Sequence, residues 1–348
     1  MLKVKNVVAV AILFVAAGAM ASNFRAADQV YVPVAGHVAG GSGTFISDVF
    51  ISNLTTDPVS VSVIFASGAG GAQQTFNNVI TLAAGERQEV LDIFPSKLNL
   101  SSGLGQLIFN ACKQGGNCDV NTCPGGATSG ECPDFRNISV ESRIYSIPPG
   151  ANQATAPTTG QLFSGYAWYS FVSSDAAPVG LDKVFITGLR NTGTAGQAGT
   201  YRGNIGLVNA SQYSTTTLLV KLFDGHTGSQ IGTTFQQTLS PLGQVQPAVA
   251  SMFPSFTGAM ATNAYITVEQ TNNMPTGDAS ANGCPNGCPA FFAYGSVLDN
   301  ASGDATTLEP QYLKSLWDLG ANHGAIACIY NANCKTGLAV TMHRAVKH

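Results

Sequence analysis

The feature that most constrains this chain is an internal repeat. The stretch Gly43–Asn53 returns, without a gap, as residues 199–209, which lie 156 positions later. Both stretches open with a Gly-Thr-aromatic step, pass through a partly apolar run and end on Asn. Because the sequence that follows each stretch also matches, we interpret the repeat as the duplication of a whole structural unit.

The residues after each motif alternate between apolar and polar side chains. The run Val59-Ser60-Val61-Ser62-Val63 has a period of two, which is typical of a β-strand with one buried face. We align it with residues 218–222 at an offset of 159 positions, which places Val61 on Val220 and Phe76 on Phe235. A slip by one residue would bury Lys221, so the alternation determines which face is buried.

Each copy holds about seven short apolar runs separated by Gly-containing turns, and neither shows a helical period. Parallel sheets need long crossover connections, usually helical, and none is visible. We therefore predict an all-β protein with two tandem antiparallel immunoglobulin-like β-sandwich domains and a disulfide-closed C-terminal hairpin tail. The predicted segments are domain 1 at 22–150, an aromatic connector or edge strand at 151–183, domain 2 at 184–310 and the tail at 311–348.

The first 21 residues have the pattern of a secretory signal peptide. Lys3 and Lys5 precede an apolar run at residues 7–17, and Ala19-Met20-Ala21 is a small-x-small site with cleavage expected before Ser22. The alternative is a retained membrane anchor, but the run is short for a span of about 20 residues. We predict a secreted protein, extracellular or at the cell surface, whose contact with a membrane is limited to the uncleaved signal peptide.

Charged residues make up only 10% of the chain, and the net charge is −3. Its 16 Lys and Arg residues do not cluster, so the sequence has no footprint for nucleic acid. Low charge also leaves little repulsion between molecules, which permits close association.

Eight cysteines in an exported chain indicate disulfides. We expect four bridges within the chain, among them Cys284–Cys288 and Cys328–Cys334. For the other four, Cys112–Cys132 with Cys118–Cys123 inside the loop is favoured, and the other pairings stay open. A zinc site is the alternative, but the spacing lacks paired Cys-x₂₋₄-Cys knuckles.

The end of the second copy, residues 293–304, together with residues 202–209, resembles a β-sandwich module that recurs in secreted bacterial proteins. The resemblance covers most of residues 30–310 and implies an accessory or structural role, without an assigned ligand. The first copy departs from the pattern, because residues 143–146 stand where residues 296–299 do and the acidic turn Asp-Asn-x-x-Gly-Asp is absent. Any function of that turn would belong to the second copy alone.

The sequence carries no recognised catalytic motif. We expect His37 and His226 in Gly-rich loops, and no His lies in a metalloprotease spacing. A nucleophile elbow and a phosphate-binding loop are also absent from the sequence. We therefore predict that the protein is not an enzyme and has no cofactor; a hydrolase with an unrecognised site is the second alternative.

Two polar patterns have ordinary explanations beside the functional ones. Asp299, Asn300 and Asp304 offer oxygen ligands for calcium, yet the same residue types build β-turns, and three ligands are fewer than calcium usually takes. We assign no metal site. Five asparagines fit the Asn-x-Ser/Thr glycosylation pattern, which arises readily by chance in such a composition: Asn53, Asn99, Asn137, Asn209 and Asn300.

We predict a structural or adhesive protein that acts through protein–protein contacts at the cell surface or in an extracellular assembly. Its expected partners are other protein subunits, copies of itself among them, or cell-surface components. The alternative is a glycan- or ligand-binding module that stacks its ligand on exposed aromatic rings. The candidate rings are Tyr166, Trp168, Tyr169 and Trp317. We also expect a tail hairpin around residues 336–342 to pack on domain 2 or to pair with a sheet edge.

Overall fold

The computed structural model describes residues 26–40, 43–68, 73–116, 134–152, 155, 158–167, 170–173, 183–193, 196–211, 215–271 and 290–313. The predicted signal peptide, Trp168, Tyr169, Trp317 and seven of the eight cysteines lie outside these residues, as does the tail beyond residue 313. The expectations about them stay predictions. No helix in the described ranges is long and apolar enough to span a membrane.

The described residues of the first half form antiparallel strands and one short helix, α1 (Ile93–Lys97). The strands are β1 (Gln29–Gly40), β2 (Gly43–Asn53), β3 (Val59–Ser67), β4 (Gln73–Leu82), β5 (Arg87–Val90), β6 (Gly103–Lys113), β7 (Ile138–Ile147), β8 (Thr159–Ser164) and β9 (Tyr166–Ala167).

These nine strands form one hydrogen-bonded sheet that folds into two faces. One face has the order β4-β3-β6-β1-β9 and the other has the order β5-β2-β7-β8. Strand β1 belongs to both, because residues 29–37 pair with β6 while residues 38–40 pair with β2. The alternating side chains Val59, Val61 and Val63 are all buried, as the period of two predicts.

The second half repeats this arrangement. Its strands are β10 (Val172–Ser173), β11 (Lys183–Leu189), β12 (Tyr201–Asn209), β13 (Thr216–Asp224), β14 (Gln230–Leu239), β15 (Gln244–Val245), β16 (Ala264–Gln270), β17 (Ala290–Asp299), β18 (Ala305–Leu308) and β19 (Gln311–Leu313). Helix α2 (Val249–Met252) and a 3₁₀ helix (Gly258–Thr262) lie between β15 and β16. The sheets are β14-β13-β16-β11-β19 and β10-β17-β12-β15, with β18 also beside β17.

The protein is therefore all-β, with sheets in a sandwich-like arrangement. If the first seven strands are lettered A to G, the two faces contain D-C-F-A and E-B-G. An immunoglobulin constant domain has the sheets ABED and CFG, so relative to strands B, C, E and F the first, fourth and seventh strands here lie in the other sheet.

The opening motif of each copy occupies the same place in the sheet. Phe45 on β2 pairs with Ser146 on β7, and Tyr201 on β12 pairs with Asp299 on β17. This register agrees with the sequence alignment of the motif, and it places residues 143–146 opposite the same positions as residues 296–299.

The predicted alignment of β3 with β13 is wrong by two residues. Val63 pairs with Phe109 on β6, and Val220 pairs with Val268 on β16. Phe109 and Val268 are equivalent, because the first strand of each copy pairs with them through Val30 and Val184. Val220 therefore corresponds to Val63 and not to Val61.

The cause of this error is that a slip of two residues keeps the same side chains buried. Alternation has a period of two, so it distinguishes odd slips but not even ones. The other predicted match is right, because Phe76 pairs with Val63 and Phe235 pairs with Val220.

Each repeat is longer than the predicted domain boundaries. Strands β8 and β9 lie in the segment assigned to the connector, and they pair with β7 and β1. Strands β18 and β19 pair in the same way with β17 and β11, and β19 lies within the predicted tail. The residues after 150 and after 310 thus supply the closing strands of equivalent units.

A cluster of aromatic rings joins the two halves. Phe292 on β17 stacks on Tyr166 and Phe171, with ring centroids 4.5 and 5.3 Å apart, and meets Tyr31 edge-on. Tyr294 packs edge-on against Phe163 at 5.2 Å. Because these rings belong to one continuous buried cluster, the aromatic connector is part of a shared core.

Candidate functional site

The predicted acidic turn has the geometry of a β-turn. Asp299 Oδ1 accepts hydrogen bonds from the backbone N–H of Ala301 and Ser302 at 2.8 and 2.9 Å, and these bonds lower the pKa of Asp299. Asn300 Oδ1 accepts a hydrogen bond from Arg202 Nη1 at 2.8 Å. One carboxylate oxygen of Asp299 and the side-chain oxygen of Asn300 are thus engaged by N–H donors. In the described ranges, no group of three or more His, Cys, Asp and Glu side chains is arranged to hold a metal ion.

Tyr166, the one candidate stacking ring within the described residues, lies in the core. Tyr166 is 4% exposed and its ring is covered by Phe292, with 23° between the two planes. It cannot present a face to a sugar ring from this position. The other three candidate rings lie outside the described residues.

Two of the asparagines in glycosylation patterns are buried and structural. Asn53 donates from Nδ2 to the carbonyls of Asp57 and Ala83, and its Oδ1 accepts from the N–H of Thr55. Asn209 makes the equivalent set in the second copy, to the carbonyls of Leu239 and Ser240 and from the N–H of Ser211. The Asn that closes each repeat motif therefore ties its strand to the neighbouring turn.

The prediction that His37 lies in a loop is wrong. His37 lies on strand β1, where its ring faces the carboxylate of Asp92. Its Nδ1 is 2.8 Å from Asp92 Oδ2, and the backbone N–H of Asp92 donates to Asp48 Oδ1. Asp92 has φ of 39°, in the left-handed region, and burial raises the pKa of its carboxyl group. Because Asp92 is the residue that precedes α1, the pair joins the start of this helix to strand β1.

The outer strands β4 and β14, one in each half, are the first candidate interaction surface. Strands β4 and β14 each have ten residues, with the sequences QQTFNNVITL and QIGTTFQQTL, and neither contains a charged side chain. Within the described residues, β4 pairs only with β3 and β14 only with β13. Most of their side chains are exposed amides and hydroxyls.

Proteins usually protect such strands with charged side chains, proline or a bulge. Here the bulge alone is present. The register with β3 shifts between Val61 and Val63, and the register with β13 shifts between Val220 and Leu222. Asn78 and Gly232 have positive φ at these irregularities, with values of 52° and 69°. The regular parts of both strands still present a backbone edge.

A cleft between the two halves is the second candidate. It encloses about 570 Å³, within the range of small-molecule sites. The first half supplies an apolar wall from β1, β2 and β7, with Val38, Phe45 and Ile144 half-buried. The second half supplies polar groups from β12 and from the residue that follows β15.

The second half supplies the longest polar side chains of the cleft, Arg202, Asn204 and Gln246, and the first two are half-buried. Shorter or already bonded polar side chains also line it: Ser146, Thr159, Gln161, Ser296 and Ser302. Arg202 donates one hydrogen bond to Asn300 and makes no ion pair with any described residue. No Asp or Glu is among the described residues that line the cleft. The sequence does not predict this cleft, because its lining residues come from both sides of the duplication and form no local motif.

Comparisons with known proteins do not identify the chain. No family model matches it, and no curated protein matches it. Among solved structures, a cryo-electron microscopy structure of broad bean stain virus is similar over 84% of this chain and 95% of the viral chain, with 9% sequence identity and a TM-score of 0.27. At that TM-score the likeness supports no inference about fold or function, and the resemblance to a recurrent secreted module stays a prediction from the sequence.

Proposed function

We propose that this protein is an exported structural or adhesive component that acts at the cell surface or in an extracellular assembly. In this proposal residues 1–21 are removed, two immunoglobulin-like sandwich units stand in tandem, and disulfides close the loops and the tail. The role is non-enzymatic, and the partners are other protein subunits, with copies of the same chain foremost.

The observation that supports this role best is the pair of uncharged outer strands, β4 and β14. An outer strand offers unpaired backbone N–H and C=O groups to another strand. Both strands are rich in Gln, Thr and Asn, whose side chains can pair across a new strand interface without charge repulsion. Joining β4 of one copy to β14 of the next would be a heterologous contact, which extends into a chain of subunits.

The test adds charge to both strands. Thr75 and Gln236 are exposed on β4 and β14, and the double variant Thr75→Lys/Gln236→Lys places one Lys on each edge. The matched control, Ala84→Lys/Ser102→Lys, adds the same charge at exposed turn positions. Light scattering of the mature protein over a range of concentrations measures the mass of the assemblies.

We expect the wild type and the control to gain mass as the concentration rises, and the edge variant to stay a monomer. A wild type that is monomeric at every concentration would contradict self-association. Equal association of the edge variant and the control would show that the contacts lie elsewhere on the molecule. Circular dichroism confirms that each variant is folded.

A further inference from the structure

The cleft between the halves has two chemically different walls. The wall from the first half is mainly apolar, with Val34, Val38, Phe45 and Ile144 along it and Ser146, Thr159 and Gln161 beside them. The wall from the second half carries a cation and two side-chain amides. A cleft with one mainly apolar wall and one wall of hydrogen-bonding groups matches a small molecule with an apolar body and one polar end.

The charge of that polar end follows from Arg202. Its guanidinium group has five N–H donors, and the structure uses Nη1 for Asn300 Oδ1. Within the described residues it has no carboxylate partner, and no acidic side chain lines the cleft beside it. A half-buried cation without a counter-charge favours an anion, and the planar guanidinium group matches a carboxylate in particular.

Asn204 and Gln246 complete the polar wall. The described residues include no hydrogen-bond partner for the side-chain amide of either. Gln161, by contrast, is already occupied, since its Nε2 donates to Thr307 and its Oε1 accepts from Ser296. The side-chain amides without a partner in the described residues therefore line the same cleft as Arg202, and Asn204 lies two residues from it on β12.

We propose that this cleft binds a small organic carboxylate, with the carboxylate on Arg202, hydrogen bonds from Asn204 and Gln246, and the apolar body against Phe45 and Ile144. The site does not depend on the strand edges, since neither β4 nor β14 lines it. Both halves of the chain supply its walls, so in this proposal the tandem arrangement creates a binding site.

The test uses three carboxylates of increasing size, phenylacetate, 4-phenylbutyrate and decanoate, each with its corresponding alcohol. Calorimetry on the mature protein measures their affinities. We expect at least one acid to bind about tenfold more tightly than its alcohol, because a hydrogen bond to a charged group is worth more than a neutral one.

Three variants assign the preference to the site. Arg202→Gln should remove the preference for the acid, and Arg202→Lys should retain part of it because the charge remains. Arg190→Gln is the matched control, since Arg190 lies over the ring of Tyr201 and does not line the cleft.

The proposal is overturned if no acid binds the wild type, if acid and alcohol bind equally, or if Arg190→Gln has the same effect as Arg202→Gln. The comparison of acid with alcohol on the wild type stands even if Arg202→Gln loosens the turn at Asn300. None of these outcomes depends on whether the protein self-associates.

Discussion

At the scale of single residues, the repeated Asn shows how one side chain can determine a corner of the fold. Asn53 and Asn209 are 1% and 0% exposed, so their amide groups are cut off from water. A buried amide is costly unless each of its groups is hydrogen-bonded, and here the neighbouring turn supplies the partners. This explains why the motif ends on Asn in both copies.

Replacing one of these residues gives the first prediction. Asn209→Ala removes the side-chain donor to the carbonyls of Leu239 and Ser240 and the acceptor for the N–H of Ser211, so we expect the free energy of unfolding to fall by about 1–3 kcal/mol. Urea denaturation measures the change. Asn77→Ala, at an exposed position, is the control and should change stability by less than about 0.5 kcal/mol. Similar losses for the two variants would contradict this role.

At the scale of elements, strand positions follow from the sequence but register does not. Alternation correctly places β3 and β13, because one face of each is buried. The alternation does not determine the alignment offset between β3 and β13, since a slip of two residues keeps the same side chains buried. Strands β8, β9, β18 and β19 cannot be recognised as repeat members from the sequence, because only their pairing partners reveal their equivalence.

The pairing of β12 with β17 gives an element-scale prediction. Gly206 lies opposite Tyr294, and a Cβ atom at Gly206 would come within 2.0 Å of the tyrosine ring. The ring is buried against Phe163 and has little freedom to move aside. We therefore expect Gly206→Ala to lower the unfolding free energy by about 1–3 kcal/mol. The control is Gly68→Ala, where the nearest atom is 3.5 Å from the added Cβ. Equal thermal unfolding of the two variants would contradict this account of the pair.

At the scale of the whole molecule, the halves share a core. Phe292 is fully buried among rings from both sides of the duplication. The candidate cleft is also formed by residues from both halves, and for that reason the sequence alone does not predict it. Its lining residues come from positions as far apart as Val34 and Ala305.

The shared core predicts cooperative unfolding. We expect the two halves of the wild type to unfold in a single thermal transition, and Phe292→Ala to lower the stability by about 3–5 kcal/mol. Phe223→Ala, where the ring is half-buried, should have a smaller effect. Differential scanning calorimetry measures the number of thermal transitions in the wild type and the loss of stability in each variant. Two resolved transitions in the wild type would show that the aromatic cluster does not couple the halves.

The central claim is that the molecule associates through its two outer strands, and hydrogen–deuterium exchange tests it most directly. Mature protein is compared at a dilute concentration and at one where light scattering detects assemblies. The account predicts that backbone amides of β4 and β14 exchange more slowly in the assembled sample, while those of the central strands β6 and β16 are unchanged. Unchanged exchange in β4 and β14, or protection that appears only elsewhere, would contradict it.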